Sequence, residues 1–145
     1  MRVAGTVTLI PDTAPDLIAA AWLHDVVEDT DVSHEDIRKL FGSTVSLLVH
    51  HMTNEFTKSA YPKLNRKQRK QAELLRLARA NHYYVHTLKL ADRYDNTFKL
   101  SARNDKGWTK LYLKESKALA NVLTAGDAKL RQLLLERIDR LRKKV

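Results

Sequence analysis

Apolar positions along the chain recur at spacings of three and four, and strand-like alternation is essentially absent, so the pattern predicts helices throughout. Residues 1–9 read as the end of a helix, which Pro11-Asp12-Thr13-Ala14-Pro15 breaks with two prolines. A second helix starts near Pro15, carries Leu17, Ile18, Ala21 and Trp22 towards a core, and ends on His24-Asp25. Ser33 is a good N-cap, with Glu35 and Asp36 in the first turn of a short helix that runs to Phe41 and stops at Gly42. Ser43 to Asn54 forms the next, with Val45, Leu48, Val49 and Met52 as its buried stripe. Glu55 to Leu64 holds Pro62 and no period, so it reads as a loop. Asn65 caps a long basic helix reaching Ala80, in which Leu74, Leu75 and Ala78 face inward. Tyr83 to Ser101 is helical, Asn104 to Gly107 is a turn, and two last helices cover Trp108 to Leu123 and Asp127 to Lys143 with Gly126 as the stop between them.

Composition agrees with one soluble all-α domain over residues 1–145, a compact bundle of about six or seven helices. Apolar runs such as Leu17 to Leu23 fall short of a bilayer span, and no signal pattern opens the chain, which implies a cytoplasmic protein with no membrane partner. The absence of cysteine excludes thiol catalysis and thiolate metal sites. Charge is divided unevenly: residues 1–62 hold nine acids and four bases, residues 63–145 eight acids and twenty-two bases. The first part suits a cation and the second attracts phosphates. The basic helix from Asn65 lacks interleaved aromatics, so nucleic acid is expected only through nonspecific attraction. For any one of its bases, surface solubility is the simpler reading.

Two clusters carry candidate chemistry. In Trp22-Leu23-His24-Asp25-Val26-Val27-Glu28-Asp29-Thr30, an imidazole and several carboxylates crowd the end of an apolar helix. An isolated His-Asp pair is usually a surface pair; here Trp22, Leu23, Val26 and Val27 set it beside core positions, where unpaired charge is costly. Downstream, Lys89-Leu90-Ala91-Asp92-Arg93-Tyr94-Asp95-Asn96-Thr97 puts Asp92 and Asn96 on one helix face and Lys89 a turn earlier. Intrahelical pairing of Asp92 with Lys89 or Arg93 is an equal alternative on spacing alone.

The fuller wording, Ala20 to Thr30, Leu40-Phe41-Gly42, Leu48-Val49 before Met52-Thr53, and Lys89 to Arg93 with Asn96, resembles the histidine-aspartate (HD) superfamily of metal phosphohydrolases. Within it the chain is similar to the hydrolase domain of RelA/SpoT-type alarmone enzymes and their small stand-alone relatives, over roughly residues 1–125. The resemblance implies an HD-type bundle and hydrolysis of the 3′-pyrophosphate of guanosine tetra- or pentaphosphate, usually with manganese (Mn2+). It implies His24, Asp25 and Asp92 as metal ligands, Glu28 and Asp29 as handlers of the attacking water, and Asn96 at the nucleoside. Lys89, Arg93 and Lys99 are expected to receive substrate phosphates. The family's usual first ligand, in a His-Pro pair, would fall just before Met1. A truncated or misassigned chain, a silent binding module, or replacement by another histidine (His50, His51, His82 or His86, with His34 reading as solvent exposed) are the explanations. Hydrolysis of another purine nucleotide is the alternative enzyme reading, and self-association through exposed apolar surface is expected to be open to the chain.

Overall fold

The computed structural model describes residues 2–10, 13–102 and 105–145. Among them lie nine α-helices and one 3₁₀ helix, with no strand, so the all-α expectation holds while the expected helix number was too small. In chain order they are α1 (Arg2–Thr8), α2 (Pro15–Leu23), α3 (Val26–Asp29), α4 (His34–Phe41), α5 (Ser43–Met52), α6 (Arg66–Arg79), α7 (Tyr83–Asn96), the 3₁₀ helix Thr97–Ala102, α8 (Lys106–Val122) and α9 (Ala128–Arg142). Asn104, the expected start of a turn, lies outside the described residues; Gly107, its expected end, already belongs to the first turn of α8, which Asp105 caps through the backbone N–H of Trp108.

Local chemistry sets several of these ends. Ser33 Oγ accepts from Asp36 N–H while the Asp36 carboxylate accepts from Ser33 N–H, so two of the otherwise unpaired first-turn donors of α4 are satisfied reciprocally. Asn65 and Gln68 repeat the device at the start of α6. Gly42 ends α4 and opens α5 at φ 93°, a conformation that a side chain disfavours.

Helix α7 is the centre of the molecule. Val85, His86, Thr87, Leu88, Leu90, Ala91 and Asp95 are all buried on it, because α1, α2, α5 and α9 pack around it. α4 folds back on α5, α5 rests on α2, and α8 joins α9 to α6. Leu77, Leu88, Leu113, Leu134 and Ile138 are completely buried, each stabilising the fold by about 1.5–3 kcal/mol.

Three packing expectations are corrected. Trp22 is 54% exposed: the buried row of α2 is Leu17, Ala20, Ala21 and then His24, and Trp22 lies one position off it. Leu75 is 49% exposed, whereas Leu77 is fully buried, so the inward row of α6 is Leu74, Leu77 and Ala78. Gly126 separates α8 from α9, but for a different reason from a helix stop at positive φ. A Cβ there would lie 2.6 Å from Leu90 Cδ1 and 3.1 Å from backbone atoms of His86 and Thr87. The α8–α9 loop therefore lies directly on the α7 backbone, and Asp127 N–H donates to Thr87 Oγ1 at 2.9 Å.

Candidate metal centre

The apolar row of α2 carries its next position, His24, into the protein, where the residue is only 5% exposed. There α2 ends, Asp25 adopts φ −102° and ψ −3°, and α3 resumes at Val26. His24 Nδ1 lies 2.7 Å from the Ala21 carbonyl. A carbonyl only accepts, so Nδ1 carries the hydrogen and Nε2 is turned towards the carboxylates. Asp25 Oδ2 is 2.9 Å from Nε2, and Asp92 Oδ1, delivered from α7, is 3.3 Å away. The two sequence clusters thus meet at one nitrogen.

Two carboxylate oxygens against one imidazole nitrogen create a demand for positive charge at that point. They favour a proton on His24. Burial works against the imidazolium and is the largest single influence, but the hydrogen bond to Asp92, the Ala21 carbonyl and the charges of Asp92 and Asp25 together raise the His24 pKa above its ordinary value. Burial likewise opposes ionisation of Asp92, yet the bond from His24 and the charges of Lys89, His24 and Arg93 hold its pKa below the usual carboxylate value.

A divalent cation would meet the same demand. Neighbouring ligands on a small hard ion at right angles stand about 3 Å apart, the spacing at which Nε2 faces each carboxylate. Among the described residues no three His, Asp or Glu side chains already enclose a common point. Pairwise spacing and donor chemistry nevertheless fit, since imidazole and carboxylate oxygen suit a hard or borderline divalent ion.

The three residues sit at a cavity of about 750 Å³. Lys89, Arg93, Asn96 and Lys99, all singled out from sequence, line it, and so does Glu28. Glu28 Oε1 accepts from Asn54 N–H at 2.9 Å, which ties α3 to the end of α5. Asp29 is exposed on α3 and does not line the cavity. Neither does any of the five other histidines. His86 instead bridges the Leu77 carbonyl at 2.7 Å and Ala125 N–H at 3.1 Å in the core, and His82 caps α7.

Sequence reasoning missed the wall opposite α7. Arg66, Arg69 and Lys70 of α6 line the cavity together with Lys58 of the preceding loop, so bases assigned to surface solubility converge on the site. Their spacing, i, i+3 and i+4, was the available signal. Only the tertiary packing shows what that face looks onto. Arg66 pairs with Glu115 of α8 across the rim. Burial, reinforced by Arg93, lowers the pKa of Lys70, and burial followed by the charge of Arg93 lowers that of Lys89, with Asp92 acting in the opposite sense. The cations destabilise one another, an arrangement that a polyanion relieves.

Comparison with known proteins bears on this geometry. A family model described as the HD domain matches residues 2–126. The guanosine-3′,5′-bis(diphosphate) 3′-pyrophosphohydrolase of Drosophila melanogaster is 38% identical over 94 residues, 65% of this chain and 49% of the relative. That of Danio rerio is 34% identical over 135 residues, 86% of this chain and 70% of the relative. The chain therefore spans about half the length of the fly protein. A solved metazoan ortholog of SpoT, which hydrolyzes ppGpp and plays a role in starvation responses, superposes with a TM-score of 0.76 at 33% identity, covering 97% of this chain and 78% of that one. A Listeria monocytogenes crystal structure shares the fold at a TM-score of 0.70 and 23% identity, covering 94% of this chain and 92% of that one.

Proposed function

The chain belongs to the HD domain family, and from that premise we propose that it is a metal-dependent phosphohydrolase that removes pyrophosphate from the 3′ position of guanosine 3′,5′-bis(diphosphate). The observation that carries this reading is the meeting of His24, Asp25 and Asp92 beside a cavity walled by bases from α6 and α7. The named activities of the fly and zebrafish relatives support the choice of nucleotide.

His24 Nε2, Asp25 and Asp92 would hold the ion, for which Mn2+ is the proposed identity. When bound, such an ion lowers the pKa of coordinated water and offsets phosphate charge. Glu28, fixed through Asn54 at the cavity wall, accepts the proton of the attacking water, whereas Asp29, exposed on α3 outside the cavity, is given no part in the transfer. Lys89, Arg93 and Lys99 receive phosphate oxygens from the α7 side, and Arg66, Arg69 and Lys70 from the α6 side. Arg93 is held for this by Ser116 Oγ at 3.1 Å and by the face of Tyr112, 4.7 Å from its ring centre. The side-chain amide of Asn96 offers both donor and acceptor to the nucleoside. A nucleotide substrate is free in the cytoplasm, where we place the enzyme; no helix among the described residues is long and apolar enough to cross a membrane.

The direct test is pyrophosphate release from guanosine tetraphosphate with Mn2+ present, alongside an Asp92→Ala control. Release by the parent chain and none by the control is the expected result. Equal release by both would overturn the site assignment, and no release by either would make the chain a binding module.

A further inference from the structure

Four of the six histidines gather away from the cavity, where the start of α4 meets the end of α5 and α7 begins. His34, the first residue of α4, and His50, in the last turn of α5, stand edge to face with ring centres 4.8 Å apart and planes at 70°. His34 Nδ1 is buried and has no hydrogen-bond partner, an orphan polar atom of a kind that folded proteins rarely keep.

We propose that His34 and His50 form a second cation site, independent of the cavity, that takes a borderline transition-metal ion such as Zn2+ through one nitrogen of each ring with water completing the shell. Metal–nitrogen bonds of about 2.0–2.1 Å place the centres of two imidazoles sharing one ion roughly 4.5–5.2 Å apart for ligand angles between a right angle and the tetrahedral value. The observed 4.8 Å falls inside that interval. Two imidazole nitrogens without a carboxylate select zinc, nickel or copper over magnesium or manganese. Burial, and after it the charge of His50, lowers the His34 pKa, the direction that favours the neutral ring a metal requires.

The site is held in place before any ion arrives. Ser46 Oγ donates to the His34 carbonyl at 3.0 Å, and Ser46 lies one turn before His50 on α5. The C-terminal end of α5 favours a cation at His50. The N-terminal end of α4 opposes one at His34, and Glu35 and Asp36 in that turn offset it. His51 is not a ligand, although its Nδ1 is also buried and unpartnered. Its ring centre is 6.2 Å from that of His50, and Arg76 donates to its carbonyl at 2.8 Å, which keeps a fixed positive charge on that side. Neither His34 nor His50 lines the cavity, so the proposal stands whether or not the chain hydrolyses a nucleotide.

The test is zinc titration of the full chain after chelator treatment, read by calorimetry as stoichiometry and affinity. In an Asp25→Asn/Asp92→Asn background, one equivalent of zinc should still bind, and adding His50→Gln should abolish it or weaken it at least tenfold. In the otherwise unaltered chain, His50→Gln and His34→Gln should each remove one equivalent while His51→Gln removes none. That comparison decides the matter if the background variant does not fold, because His50 is exposed and its replacement disturbs no core contact. Zinc stoichiometry and affinity equal to the parent's in both His34→Gln and His50→Gln would overturn the proposal, as would manganese filling the same site as tightly as zinc.

Discussion

The proposed chemistry depends on a few atoms whose positions are over-determined. His24 is pinned on one side by the Ala21 carbonyl and on the other faces carboxylates from the α2–α3 turn and from α7. Asp92→Asn removes one proposed anionic ligand while keeping the shape of the side chain. We expect at least a hundredfold loss in the turnover of guanosine tetraphosphate with the circular-dichroism spectrum unchanged, consistent with the cost of losing a metal-site partner. A spectrum that collapses with the activity would make Asp92 structural instead. Gly126→Ala tests a different kind of constraint, because the added methyl meets the backbone of α7 with no room to turn away. Overpacking of this kind costs about 1–3 kcal/mol, so urea unfolding should shift to lower midpoint with an unchanged slope.

At the scale of elements, α4 is set by its cap. The backbone and side chain of Ser33 hold the Asp36 pKa below its ordinary 3.8. A carboxyl whose folded pKa is depressed contributes stability that is fully present above its unfolded value and lost as pH falls through the folded one. Stability should therefore decline below about pH 4, and Asp36→Asn should make that acid decline shallower in urea midpoints measured between pH 5 and pH 2.5. If the variant and parent curves run parallel, Asp36 is not a contributor. Helix α6 tests the assignment of the cavity's second wall. Arg69→Ala and Lys70→Ala should each raise KM for the tetraphosphate about tenfold, the loss of roughly one charge-assisted contact, with kcat changed less than threefold. A fall in kcat at constant KM would place these bases at the reacting phosphate instead.

At the scale of the molecule, α7 links the core to the site: the helix that carries Asp92 also carries Leu88, Leu90 and Ala91, all completely buried. Leu88→Ala should cost about 2–5 kcal/mol, and because the same helix delivers Asp92, thermal loss of activity should coincide with loss of helicity. Activity that disappears well before helicity would show that the cavity opens independently of the core.

Much of this was legible in the sequence because it rests on short-range physics. The cap at Ser33, the stop at Gly42, the cap at Asn65 and the stripe Val45, Leu48, Val49 and Met52 each depend on residues within one or two turns, and the structure has all of them. The likeness of the two motifs to the HD superfamily came from the same order of residues, and the family match confirms it. Tertiary packing decided the rest. Trp22 and Leu75 have helix-periodic neighbours on both sides, so periodicity leaves their facing open by one position until α5 and α8 take their places. Gly126 looked like a helix stop because the backbone it touches lies some forty residues away in the chain. The bases of α6 looked like a solvated face because what they look onto, the carboxylates and bases of α7, becomes their neighbour only when α6 closes against α8. Sequence alone determined the helices, their ends and the chemical types available. Only the fold decided which charges share a cavity, since a long-range approach has no signature in local spacing.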